Sequence, residues 1–96
     1  MRYNLPARLK EFAAIAHLLG EDVRGLTERE AAELAVAAVD RLRHDIGVPG
    51  RLRDLGVQPS QLRVFAEKAE SIKRILRVNP RMPTAEEIET IYQAAY

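Results

Sequence analysis

The stretch TEREAAELAVAAVDRLRHDIG, residues 27–47, decides the fold. Its apolar residues Ala31, Leu34, Ala35, Ala38, Leu42 and Ile46 recur at steps of three and four, which places them on one face of an α-helix. Thr27 and Glu30 stand at capping-box spacing. The Thr hydroxyl can accept from the backbone N–H of residue 30, and the Glu carboxylate can accept from the N–H of residue 27. Leu26 in front offers a staple contact to Ala31, and Gly47 supplies a left-handed stop.

Upstream, Leu5, Leu9, Phe12, Ala16 and Leu19 form a second stripe of helical period. Pro6 suits a first turn, where its missing N–H has no partner to lose. With Gly20 as the stop, the spacing predicts a helix over about 6–19. Downstream, the glycines and proline of IGVPGRLRDLGV (46–57) leave room for one turn over 51–55. Gln58-Pro59 opens a further helix carrying Leu62, Phe65, Ala66, Ala69, Ile72, Ile75 and Leu76. Its pattern fits an unbroken run to Val78 or a break near Ser71. Asn79-Pro80 ends that run, because a residue before proline is pushed out of the helical region. Thr84 and Glu87 form a second capping box, and Ile88, Ile91, Tyr92 and Ala95 complete a last helix.

No segment alternates long enough for a strand. The expected fold is all-α: a small bundle-like unit of four to five helices, residues 1–96, forming one helical domain or part of a larger one. At 47% hydrophobic and 30% charged, the composition is that of a folded chain. Five aromatic residues in 96 leave the core to Leu, Ile, Val and Ala. Fifteen basic against fourteen acidic residues are too balanced to argue for nucleic acid or an anionic membrane. The absence of cysteine excludes disulfides, thiolate metal sites and a Cys nucleophile. No apolar run reaches bilayer-spanning length, so a cytoplasmic protein is expected.

Candidate chemistry is sparse. His17 and His44 are the only histidines, and neither belongs to a converging ligand set; Asp40, four residues before His44, fits an ordinary side-chain pair. Arg41, Arg43, Arg51 and Arg53 form one basic run and Lys68, Lys73, Arg74, Arg77 and Arg81 another. Interleaved Asp40, Asp45, Asp54, Glu67 and Glu70 make a solvated face the simpler reading. No glycine spacing marks a phosphate loop, and Ser60 and Ser71 have no base beside them. No catalytic, cofactor-binding or metal-ligating residue is assigned.

Three stretches, taken in order, resemble the C-terminal helical portion of the iron-containing (group III) alcohol dehydrogenases. They are MRYNLPARLKEFAAIAHLLGED (1–22), IGVPGRLRDLGV (46–57) and RILRVNPRMPTAEEIETIYQAAY (74–96). The last carries Asn-Pro-Arg, a Thr-initiated helix and a terminal Ile-Tyr-x-x-Ala-aromatic. The resemblance implies the dehydroquinate synthase-like helical domain. It also implies an intact enzyme that uses NAD(P) and a divalent metal, usually iron, for alcohol and aldehyde oxidoreduction. The family's nucleotide-binding domain and metal-ligand region would lie before Met1, so the chain alone is expected not to be catalytic. By the same resemblance Ile75 and Arg77 would border the substrate pocket of the intact enzyme, while Asn79 and Arg81 would be structural. The implied partner is the missing N-terminal portion, or a second copy bound through exposed apolar faces, with no nucleic acid and no membrane. A small helical protein-interaction module is the alternative reading, and a nucleic-acid-binding helical domain a third.

Overall fold

The computed structural model describes residues 1–96, which form five α-helices and no strand. These are α1 (Leu9–Leu18), α2 (Glu28–Asp45), α3 (Leu62–Ser71), α4 (Lys73–Leu76) and α5 (Ala85–Ala95). Short 3-10 turns occupy Leu5–Ala7, Leu52–Leu55 and Pro59–Gln61. The chain divides into two compact units, Met1–Val48 and Pro49–Tyr96.

In the first unit α1 packs against α2. The helix expected from residue 6 instead begins at Leu9. Residues 4–8 bond in the tighter pattern, with Asn4 N–H donating to Met1 O, Ala7 N–H to Asn4 O and Arg8 N–H to Leu5 O. Such turns do not propagate, and Arg8 leaves helical backbone altogether at φ −146° and ψ 47°. Gly20 ends the segment with φ +86°, a conformation in which a Cβ would be strained.

The core of this unit gathers Leu5, Phe12 and Ala16 with Ala32, Ala35 and Val36, and Leu9, Val23 and Leu34 pack against it. Ala16, Ala32 and Ala35 are 0% exposed, so the two helices meet where side chains are smallest. Only the first half of the α2 stripe is covered. Leu42 is 52% and Ile46 66% exposed, so the later part of the apolar face read from the periodicity stays open. Leu42 opens, with Leu19 and Ala38, onto a surface depression. Leu19, at the end of the α1 stripe, is exposed as well.

In the second unit α3 packs against α5. Leu62 and Ala66 are buried on α3, and Ala85 and Ile88 on α5. Of the two possibilities for residues 62–78, the break is realised. Ser71 Oγ donates to Lys68 O at 2.7 Å, and Ile72 leaves helical backbone with ψ 62°. Both capping boxes form. The Thr27 hydroxyl accepts from Glu30 N–H at 3.2 Å, and the Thr84 hydroxyl from Glu87 N–H at 3.3 Å.

Candidate functional site

The second unit contains the segment that the sequence singles out. α4 is a single turn whose Lys73, Arg74 and Ile75 are all exposed, with Ile75 at 57%. Arg77 caps it, donating its N–H to Lys73 O at 3.0 Å. Ile75 and Arg77 thus lie two residues apart at an exposed helix end. The chain then tightens. Asn79 N–H donates to Leu76 O at 2.9 Å, and the Asn79 side-chain amide donates to the Arg81 carbonyl. Arg81 Nη2 lies 3.6 Å from Glu87 Oε1, while Glu87 Oε2 accepts from Thr84 N–H at 3.0 Å. Asn79 and Arg81 therefore hold the turn around Pro80, the structural role expected of them. Ile72, Ile75, Val78 and Met82 leave this stretch with apolar side chains facing water.

In the same unit, Arg63 on α3 reaches three carboxylates. Its Nε donates to Glu67 Oε1 at 2.6 Å, and its Nη1 to Glu86 at 3.2 Å and Glu89 at 3.3 Å on α5. These bonds raise the Arg63 pKa, chiefly through Glu67. Glu86 is lowered first by its own backbone N–H, then by Thr84 and Arg63. Sequence reasoning missed Arg63. Its i,i+4 pairing with Glu67 was readable, but the partners on α5 lie more than twenty residues away and depend on tertiary packing.

In the first unit, Leu19, Ala38 and Leu42 with Glu21, Arg41 and Asp45 line an open depression of about 260 Å³. Arg41 donates to Glu21, tying the segment after α1 to α2. Asp40 does not pair with His44. It faces Arg43 at 3.3 Å and Arg2 at 3.6 Å, both permanently charged donors. The basic runs are laced with partners, Arg41 to Glu21, Arg43 to Asp40 and Lys73 to Glu70, which favours the solvated-face reading.

His17 and His44 are exposed on separate helices, and no three His, Cys, Asp or Glu side chains converge as a metal would need. The chain's own residues do not fit an iron site, so no chemical step is assigned to a metal here. The Thr27 hydroxyl donates to Glu30 Oε2 at 2.8 Å, but that pair belongs to the cap of α2. The arrangement is two helix pairs with ion pairs on their faces and apolar side chains left open.

The fold defines an all-α chain of two helix pairs, and likeness to known proteins defines its family. Residues 1–96 match the family described as Fe-containing alcohol dehydrogenase family, C-terminal, and the chain belongs to that family. A 1,3-propanediol dehydrogenase of Klebsiella pneumoniae is 44% identical over 95 residues, covering 99% of this chain and 24% of the relative. An NAD-dependent methanol dehydrogenase of Bacillus methanolicus is 36% identical over 94 residues, covering 97% and 24%. A crystal structure of 1,3-propanediol oxidoreductase superposes with a TM-score of 0.95 at 44% identity, over 99% of this chain and 25% of that one. The chain spans about a quarter of the length of the curated relatives it matches. No helix is long and apolar enough to cross a membrane.

Proposed function

We propose that this chain is the C-terminal helical part of an NAD(P)-dependent, metal-dependent dehydrogenase that interconverts small alcohols and aldehydes, and that it performs no chemistry alone. The observation that carries this reading is the family match over residues 1–96 by a chain covering only 24% of its relatives. Those relatives are named for propanediol and methanol, one of them with NAD. Iron follows from the family description; the nucleotide and the metal would both be held by the remaining portion.

In this reading residues 1–96 complete a larger helical domain. Ile75 and Arg77 border the substrate pocket, where an exposed apolar side chain and a cation two residues on suit a short alcohol with a polar end. The open apolar side chains Leu42, Ile46, Ile75 and Val78 favour burial against the missing portion, or against a second copy when that portion is absent. The intact protein acts in the cytoplasm.

The test is the native species in the source cells, captured with an antibody raised to this chain. A polypeptide several-fold larger than 10.8 kDa that reduces NAD or NADP with a small alcohol, and stops when its metal is chelated, is the expected result. A 10.8 kDa species with no associated dehydrogenase activity overturns the proposal.

A further inference from the structure

We propose that Glu87 is a positioning residue that sets where α4 stands, because one carboxylate serves both the α5 cap and the Arg81 ion pair. A four-residue helix has no stability of its own, since nucleation costs more than one turn returns. α4 also buries little: Lys73, Arg74 and Ile75 are exposed, and Val78 beyond it is 78% exposed. What fixes it is therefore what holds its ends. At the front, Ile72 has left helical backbone, and beyond the chain itself α4 is joined to α3 by one exposed ion pair, Lys73 Nζ to Glu70 Oε1 at 2.9 Å.

At the back the connections are continuous. Asn79 N–H holds Leu76 O at 2.9 Å, the Asn79 amide holds the Arg81 carbonyl, and Arg81 faces Glu87 Oε1 at 3.6 Å. The other oxygen of Glu87 accepts from Thr84 N–H at 3.0 Å, and α5 is itself anchored by buried Ala85 and Ile88. The rigid start of α5 thus reaches, through Glu87, Arg81 and Asn79, the last carbonyls of α4. That the brace thereby places Ile75 and Arg77 for substrate rests on the pocket-border reading above. The brace itself is testable without substrate.

Amide hydrogen exchange on the 96-residue chain reads it directly, at Arg77, Val78 and Asn79, with Ile91 and Tyr92 as the α5 reference. Arg81→Met and Glu87→Gln should each accelerate exchange at 77–79 by about two- to five-fold, the range an ion pair of this exposure supplies. Glu87→Gln keeps an acceptor for Thr84 N–H, so the α5 reference should hold. The double variant should exchange no faster than the quicker single, and Arg81→Lys should restore the original rate. Unchanged exchange at 77–79, or acceleration shared equally by α5, overturns the proposal. Should a variant fail to fold, the unmodified chain still decides. Raising salt to about 0.5 M, which screens exposed charges, must accelerate 77–79, and salt-independent exchange refutes the brace. If the brace holds while Ile75→Ala in the intact dehydrogenase leaves KM for the alcohol unchanged, the pocket reading alone fails.

Discussion

Arg63 on α3 reaches Glu89 on α5 across 3.3 Å, and the same guanidinium nitrogen lies 3.2 Å from Glu86. One side chain thus joins the two long helices of the second unit. Arg63 and Glu86 are exposed and Glu89 is half-buried, so the joint is largely electrostatic and screened. Arg63→Gln should lower the thermal midpoint most at low ionic strength, with the difference shrinking as salt is added. A circular-dichroism melt series across salt concentrations checks this. A salt-independent loss would instead assign the effect to packing of the arginine stem.

The two capping boxes are a matched pair of experiments. Thr27→Ala and Thr84→Ala each remove a hydroxyl that accepts a backbone N–H. Each should cost about 1 kcal/mol. The caps share no partner, so the double variant should cost the sum to within about 0.5 kcal/mol. Urea titrations of the three variants measure it, and a strongly non-additive result would mean that the caps are coupled.

Ala35 and Leu42 share the α2 stripe and should respond oppositely to change. Ala35 is 0% exposed against α1, so Ala35→Leu should overpack the interface and cost about 1–3 kcal/mol. Leu42 is 52% exposed, so Leu42→Gln should alter stability by no more than about 0.5 kcal/mol. Sedimentation should show the Gln variant self-associating less than the unmodified chain.

Acid should destabilise the chain, and the sign follows from which carboxylates are held ionised. Glu30 is lowered by the Thr27 N–H and then its hydroxyl, Glu86 by its own backbone N–H, Thr84 and Arg63, and Asp22 by Arg24. A carboxyl with a depressed folded-state pKa contributes stability that is full above its unfolded value, about 4.3 for Glu and 3.9 for Asp. That contribution is lost as pH falls through the folded-state value. Midpoints measured between neutrality and pH about 3 should therefore fall on acidification. Glu30→Gln should flatten the slope, and an unchanged slope would remove Glu30 from the set.

Local signals in the sequence were read faithfully by the structure. Capping boxes at Thr27 and Thr84, left-handed glycines at 20 and 47, and the turn over 52–55 all depend on groups within a few residues of one another. The start of α1 was misplaced, because Pro6 suits a helical first turn and a 3-10 turn equally. The candidate site was legible only by likeness. Ile75 and Arg77 carry no chemical pattern of their own, and the Asn79–Arg81–Glu87 connection joins residues whose spacing matches no general motif.

From the chain alone came the helical class, the stops at Gly20 and Gly47 and the family, since periodicity, caps and three ordered stretches are properties of neighbouring residues. Tertiary structure decided which half of each apolar stripe is buried. Leu42 and Ile46 have the same spacing as Ala31 and Ala35, and only the place where α1 packs on α2 separates covered from open. It also chose the partners of the charged side chains. Asp40 took Arg43 and Arg2 over His44, and Arg63 added Glu86 and Glu89 to Glu67. An ion pair falls off within a few ångströms, so distances across the fold select it and sequence separation does not.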